Sequence, residues 1–204
     1  MRKLTVIGDV HGKVDEYKKI IDKCDFSICV GDFGFQPEWD HIIHYLENLY
    51  SDSDKFVQHW INMGNHDYIP YSNIWPSLLN HTWFADEGIF TVRGADSIDK
   101  HLRIDGLDWF QNEELNYQEQ LKAFDKYCEV KPKIVISHDC PQSVMTSLFG
   151  YPEKSQTRTM LEMMFQEHQP EIWIFGHHHK SKDVQIGGTR FVCLSELEKM
   201  EIEL

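Results

Sequence analysis

The chain has 204 residues, of which 41% are hydrophobic and 13% aromatic, so it can bury one sizeable core. Its formal net charge is −13 and no basic cluster is present, which disfavours binding to extended nucleic acid. The apolar runs are far shorter than the roughly 20 residues of a membrane span, and the N-terminal run is too short for a signal peptide. The five cysteines lack a C-x-x-C pair, so we expect reduced thiols and a cytoplasmic location.

The first third of the chain alternates predicted strands with predicted helices. Strand patterns cover residues 4–7, 26–30 and 56–61, and apolar residues recur at helical spacing over 14–21 and 39–50. Strands that alternate with helices predict right-handed crossovers and a largely parallel core.

The remainder of the chain mixes both kinds of element. Short antiparallel strands are predicted at 89–92 and 101–104, and a helix over 116–127 with Leu121, Phe124 and Tyr127 facing inward. Further predicted elements are a strand at 133–137, a helix at 157–168, a strand at 171–175 and a hairpin of 184–186 with 190–194. No repeat or linker interrupts this order, so we expect a single domain over residues 1–204.

Five predicted strands end in the same way, with small residues followed by Asp, His or Asn. The polar residues at these ends are, in order, Asp9 and His11, then Asp32, then Asn65 and His66, then His138, and then His177 and His179. Ligand sites form where the carboxyl ends of strands meet loops, so these groups converge if the strands share a sheet. Each motif alone is weak, because a Gly-Asp pair is often only a turn and a single histidine is often structural. Five such endings in succession indicate a metal site, since Asp and His are ligands of first-row metals.

The motifs GDVHG (8–12), GDFG (31–34), GNHD (64–67), SHD (137–139) and GHHH (176–179) carry a family resemblance. In this order they resemble the five motifs of calcineurin-like metallophosphoesterases, particularly small bacterial and phage members. The resemblance implies an α/β fold, a four-layer α-β-β-α sandwich with mixed sheets and a dinuclear metal site at the carboxyl ends of the strands. It also implies two ligand sets that share Asp32. The first is Asp9, His11, Asp32 and His179, and the second is Asp32, Asn65, His138 and His177.

The ligand set contains nitrogen and oxygen but no sulfur. It suits two divalent transition-metal ions, manganese first, with iron, zinc, nickel or cobalt as alternatives. Two such ions carry four positive charges, and the carboxylates of Asp9 and Asp32 contribute two negative charges. The cluster therefore keeps a net positive charge and can bind a phosphate dianion. We expect in-line attack on phosphorus by a metal-bridging hydroxide, with His66 giving a proton to the leaving oxygen. Asp67 either orients the His66 ring or caps the following turn.

Other polar residues leave alternatives open. Four arginines could each bind substrate phosphate or form a surface ion pair, namely Arg93, Arg103, Arg158 and Arg190. In the GHHH motif, a strand-like extension would send His177 and His179 to one side and His178 to the other. We therefore predict that His178 is a bystander between two ligands.

Three functions are compatible with these residues. The first is hydrolysis of a phosphomonoester or phosphodiester in a small phosphorylated substrate, with neither extended nucleic acid nor a membrane as partner. The second is a nuclease or nucleic-acid end-processing phosphatase, and the third is a non-catalytic scaffold on the same fold. Phosphoprotein phosphatase activity is disfavoured by the second motif. Phe35 stands where the related motif of protein serine/threonine phosphatases has an Asp, and no Arg follows it.

Overall fold

We describe the protein from a computed structural model, which covers residues 2–35, 44, 58–68, 78–79 and 81–204. One sheet has five strands in the order β11-β1-β2-β3-β4. The strands are β1 (Lys3–Ile7), β2 (Ser27–Cys29), β3 (His59–Asn62), β4 (Leu78–Leu79) and β11 (Lys199–Glu203). The strands β1 to β4 are parallel, and β11 pairs antiparallel with β1 at one edge.

The other sheet has six strands in the order β5-β6-β7-β8-β10-β9. They are β5 (His81–Phe84), β6 (Ile89–Val92), β7 (Ile134–Ser137), β8 (Ile172–Phe175), β9 (Lys182–Ile186) and β10 (Thr189–Cys193). The four inner strands are parallel and both edge strands are antiparallel. The predicted closing hairpin is confirmed as β9 and β10, and both sheets are mixed.

Four α-helices and one 3₁₀ turn complete the described elements. The helices are α1 (Val14–Ile21), α2 (Tyr117–Val130), α3 (Gln142–Phe149) and α4 (Gln156–Glu167), and the 3₁₀ turn is Lys100–Leu102. The α2 helix begins at Asn116, whose side chain accepts from the backbone N–H groups of Gln118 and Glu119 in a capping box. The α4 helix begins at Ser155, whose hydroxyl accepts from the Arg158 N–H.

The layers follow from the alternation of side chains along each strand. Leu4 and Ile28 of the first sheet pack against Ile174 of the second, so one core lies between the sheets. The opposite face of the first sheet buries Tyr17 of α1. On the opposite face of the second sheet, Trp173 packs with residues of α2, α3 and α4. The order is therefore α-β-β-α, as predicted.

Several predictions of local structure were wrong. The segment 101–104 is not a strand, because Lys100–Leu102 form a 3₁₀ turn. Leu121 does not face inward but is 40% exposed, since the buried face of α2 carries Ala123 and residues two apart lie on different sides of a helix. The strands β4, β5 and β11 and the helix α3 were not predicted. The predicted helix over 39–50 lies outside the described residues except at residue 44.

The five strand ends that carry the motifs do not belong to one sheet. The strands β1, β2 and β3 are neighbours in the first sheet, and β7 and β8 are neighbours in the second. Because the sheets pack face to face, their polar ends still meet, and Asp9 after β1 lies beside His138 after β7. Among the described residues, no helix is both long and apolar enough to cross a bilayer.

Candidate metal centre

The four side chains predicted to hold the first metal form one compact group. Asp9, His11, Asp32 and His179 each offer one ligand atom, and these atoms lie within 4.8 Å of one another. Nε2 of His11 is 3.0 Å from Nε2 of His179, which in turn is 3.4 Å from Oδ2 of Asp9. Imidazole nitrogens and carboxylate oxygens that face a common point are the arrangement of a cation site.

A second group adjoins the first and shares Asp32 with it. Ligand atoms of Asp32, His138 and His177 lie within 4.8 Å of one another. Nε2 of His138 is 3.3 Å from Oδ1 of Asp32 and 3.0 Å from Oδ1 of Asn65. The seven predicted ligands therefore lie in two adjoining groups, and Asp32 is placed to bridge them.

The polar atoms of this centre fit a pair of divalent cations. Asp9, Asp32 and His138 are buried. Within the described ranges, Oδ2 of Asp32 and Nδ1 of His138 have no hydrogen-bond partner. An unpaired buried polar atom costs about 1–3 kcal/mol of stability. A bound cation would give these two atoms the partner that the neighbouring side chains do not supply.

The pKa values in this centre are shifted by burial and by the neighbouring charges. Burial raises the pKa of Asp9 to about 7, although the charge of His138 opposes the rise. Burial lowers the pKa of His11 and, to a larger extent, that of His177. For His138, burial acts in the same direction, but the Asp32 carboxylate outweighs it and raises the pKa to about 9. Bound cations would favour the deprotonated form of each group.

Backbone strain is concentrated at the ligands. Six non-glycine residues in the described part of the chain have positive φ, and four of them are predicted ligands. These are His11 (47°), Asp32 (48°), His177 (65°) and His179 (50°). Each left-handed residue costs roughly 1–3 kcal/mol, and such strain accumulates at functional sites. The expected strand-like extension through 177–179 is therefore wrong, because β8 ends at Phe175 and left-handed turns orient the two ligands.

Two glycines let the loops approach the ligands. A Cβ on Gly64 would overlap Oδ1 of Asp32, and one on Gly31 would overlap Nδ1 of His138. Gly31 also has a φ of 143°, a backbone conformation that residues other than glycine rarely adopt. These positions explain why glycine precedes Asp32 and Asn65 in the motifs.

Residues from the middle of the chain orient Asn65. The Asn65 amide donates to Oγ of Ser97 at 2.8 Å, and Ser97 donates to the Glu113 carboxylate. Because the amide nitrogen is occupied, Oδ1 of Asn65 faces His138 and the second group. Sequence reasoning missed Ser97 and Glu113, which lie in irregular segments with no motif or periodicity.

Asp67 and His66 are adjacent in sequence but have separate surroundings. The two oxygens of Asp67 accept backbone N–H groups of residues 33, 34, 35 and 64. The carboxylate thus joins the GDFG loop to the GNHD loop. It does not orient the His66 ring, and the four N–H groups that it accepts precede it in the chain, so these contacts do not cap the following turn. The His66 ring instead contacts Arg103, whose Nη1 is 2.9 Å from Nδ1.

His178 points away from both ligand groups and is bonded on the opposite side. Its Nε2 donates to Oδ1 of Asp139 at 3.1 Å, and its ring lies 4.4 Å from that of Phe149. Burial alone would raise the pKa of Asp139, but the His178 hydrogen bond and the Arg158 charge lower it well below its usual value. Asp139, Cys140 and His178 form a third group of possible metal ligands. The Arg158 guanidinium already neutralises Asp139, which disfavours a cation in this group.

The four candidate arginines have different surroundings. Arg190 forms an exposed pair with Asp183, and Arg93 is buried and pairs with Glu119. Arg103 and Arg158 both line a cavity of about 620 Å³ that opens over the ligand groups. Its other lining residues include Asp32, Asn65, His66, Phe149, Tyr151, His177, His178, His179 and Lys180. Two of the four arginines thus line the cavity beside the ligand groups.

The family profile of calcineurin-like phosphoesterases matches residues 2–181. The chain belongs to this family. Calcineurin-like phosphoesterases carry a dinuclear metal centre, and the two groups that share Asp32 are the candidate ligands for it. No curated protein gave a significant match to the sequence.

Solved structures show the same calcineurin-like fold. TT1561 of Thermus thermophilus is 12% identical, with 96% of this chain and 90% of that chain covered and a TM-score of 0.57. For a dimetal phosphatase from Danio rerio the identity is 10%, the coverages 96% and 88% and the TM-score 0.53. Phosphopantetheinyl hydrolase from Mycobacterium tuberculosis is 14% identical, with 96% of this chain and 90% of that chain covered and a TM-score of 0.51. At these identities the likeness establishes the fold.

Proposed function

We propose that the protein hydrolyses phosphomonoester or phosphodiester bonds in small molecules, using two divalent transition-metal ions with manganese as the first choice. The observation that carries this proposal is the pair of ligand groups that share Asp32 and lie beside the cavity with His66 and Arg103. Asp9, His11, Asp32 and His179 would hold one ion. Asp32, Asn65, His138 and His177 would hold the other.

The protein groups and the ions divide the chemistry between them. When bound, the two ions supply positive charge for the phosphoryl oxygens and lower the pKa of water to about 7. Asp9 and Asp32 neutralise only half of their charge, and their burial keeps bulk water from screening the remainder. Asn65, held by Ser97, fixes the second group without adding charge.

His66 is the proton donor in this proposal. It lines the cavity and lies beside ligand Asn65, and its backbone N–H donates to Oδ1 of Asp32 at 2.9 Å. A ring placed in this way can protonate the leaving oxygen of a phosphate bound at the centre. Asp67 holds the loop that carries His66, so its role is positioning.

The shape and charge of the molecule favour small substrates. A cavity of about 620 Å³ lies within the range of small-molecule sites, roughly 300–1,000 Å³. The net charge of −13 repels long polyanions, while a cationic floor attracts a single phosphate group.

A hydrolysis panel tests this function. Manganese-loaded protein is offered an aryl phosphate monoester, an aryl phosphodiester, cyclic nucleotides and single-stranded DNA, with Asp32→Asn as the matched inactive variant. We expect turnover of at least one small ester and its loss in Asp32→Asn. Preference for the DNA would favour a nuclease, and no turnover despite bound manganese would favour a scaffold.

A further inference from the structure

The cavity has a second wall beyond the metal-ligand groups, which we name the distal wall. It consists of Phe149, Tyr151, Arg158, His178 and Lys180. A row of rings connects it to the centre. Ring centroids are 5.0 Å apart for His138 and His177, 4.9 Å for His177 and His178 and 4.4 Å for His178 and Phe149. A molecule held by its phosphate at the ligand groups can therefore extend along this row to the distal wall.

Arg158 is the buried cation of the distal wall. It is 2% exposed, its Nε donates to Oδ2 of Asp139 at 2.7 Å and its Nη1 donates to the Glu153 carbonyl at 3.2 Å. Its Nη2 has no hydrogen-bond partner among the described residues. A buried guanidinium nitrogen without an acceptor is unfavourable, and a carboxylate or phosphate oxygen is its best partner.

Lys180 is the exposed cation of the same wall. Its Nζ lies 5.9 Å from the centroid of the Phe149 ring, and it forms no ion pair with any carboxylate in the described part of the chain. The ring of His178 also contacts Phe149, at an interplanar angle of 37°. The distal wall thus combines the unpaired Nη2 of Arg158, whose charge Asp139 balances, with the cation of Lys180 and a flat surface. This combination suits a planar group that carries a negative charge.

We propose that the distal wall binds a second anionic group, a carboxylate or a phosphate, on the alcohol part of the substrate. The substrate class would then be phosphate esters of alcohols that carry their own negative charge, beside a planar or apolar portion. This inference rests on the proposed hydrolysis at the metal centre. Glu153 lines the same cavity with the opposite charge, so it weakens the binding of an anion there.

Matched aryl phosphates test the inference by hydrolysis. Manganese-loaded protein is compared on phenyl phosphate and on its 3-carboxy and 4-carboxy derivatives. We expect kcat/KM for the better carboxylated ester to exceed that for phenyl phosphate by about tenfold. This ratio should fall about two- to fivefold in Lys180→Gln and more in Arg158→Lys, and it should rise in Glu153→Gln. Lys126→Gln, which removes a surface charge paired with Glu129, should leave the ratio unchanged.

A binding measurement separates this inference from the proposed function. Calorimetry gives the affinity of manganese-loaded protein for phenylphosphonate and for carboxyphenylphosphonates, which are not hydrolysed. Tighter binding of a carboxylated compound, reduced in Lys180→Gln, supports the distal wall even if no ester is turned over. Equal affinities in the wild type, or an equal ratio in Lys180→Gln and Lys126→Gln, would overturn it even if esters are hydrolysed. Lys180 is exposed, so its variant remains informative if Arg158→Lys fails to fold.

Discussion

Arg103 holds the His66 ring from one side, with Nη1 2.9 Å from Nδ1 of the imidazole. The same guanidinium is fixed by Asp99, whose two oxygens accept from Nε at 2.7 Å and Nη2 at 2.8 Å. Nη2 of Arg103 also lies 3.3 Å from Nε2 of His66, so the guanidinium faces both nitrogens of the ring. Arg103 therefore fixes the orientation of the His66 ring, although the two residues are 37 positions apart.

Replacing Arg103 tests this positioning role. In Arg103→Gln we expect kcat on an alkyl phosphate to fall about tenfold, because the His66 ring loses its donor. The fall should be smaller on an aryl phosphate with a good leaving group, which needs little help from an acid. Arg190→Gln removes an exposed arginine paired with Asp183 and serves as the control. Equal losses on both esters would indicate that Arg103 does not act through His66.

Removal of the His66 ring should separate chemistry from metal binding. In His66→Ala we expect kcat on an alkyl phosphate to fall about 10²–10⁴-fold while manganese content stays near that of the wild type. Steady-state kinetics and elemental analysis of the same preparation give both quantities. Unchanged turnover of the alkyl phosphate would exclude His66 as the proton donor.

The three consecutive histidines should differ in metal retention. His177 and His179 belong to different ligand groups, whereas His178 is bonded to Asp139. We expect His177→Ala and His179→Ala each to weaken one of two manganese ions, and His178→Ala to retain both. Manganese titration of the three variants measures how many ions each one binds. Equal loss of manganese from all three would contradict the assignment.

Metal binding should depend on pH. Before a cation binds, Asp9 has a pKa of about 7 and His138 a pKa of about 9, both above their usual values. These raised values stabilise the metal-free fold while the groups are protonated. That stabilisation is lost as the pH rises through about 4–7 for Asp9 and about 6.5–9 for His138. We therefore expect manganese affinity, and the rise in Tm that manganese gives, to increase from pH 6 to pH 9.

Calorimetry in buffers of different ionisation enthalpy counts the protons released when manganese binds. Near pH 7 we expect release of at least about one proton per chain, because the same lone pairs bind either a proton or a metal. Affinity that does not change with pH, with no proton release, would show that these side chains are not the ligands.

The Asp67 carboxylate should matter chiefly for stability. In Asp67→Asn one oxygen becomes an NH2 group that faces backbone N–H donors, so we expect a loss of about 3 kcal/mol in the free energy of unfolding. Asp183→Asn breaks an exposed pair and should cost less than about 1 kcal/mol. Urea unfolding compares the two, and equal losses would contradict the anchoring role of Asp67.

The parts of the site that could be predicted are those encoded next to a strand. Asp9, Asp32 and His138 each follow a buried apolar run within three residues, so the end of the strand and the chemical group are visible together. The family resemblance that the motifs carry, and not the strand pattern itself, implied the mixed sheets and the four layers. That the ends lie in two sheets could not be predicted, because the pattern of a strand does not specify its neighbour.

The parts that could not be predicted depend on distant or strained backbone. Ser97 reaches the site from an irregular segment where no periodicity marks it, and the contact of Arg103, a candidate arginine, with His66 was not foreseen. The left-handed conformations of His11 and His177 contradict local preference and are imposed by the surrounding fold. Asp67 faces the backbone of residues 33–35, a contact that its own neighbours in sequence do not indicate.

The most direct test of a two-metal phosphoesterase centred on Asp32 is a manganese titration that follows binding and hydrolysis in the same sample. We expect phosphate-ester hydrolysis to rise with added manganese and to level off at two bound ions per chain. In Asp32→Asn both the second ion and the activity should be lost. Two tightly bound ions without hydrolysis of any ester in the panel, or full activity in Asp32→Asn, would contradict the account.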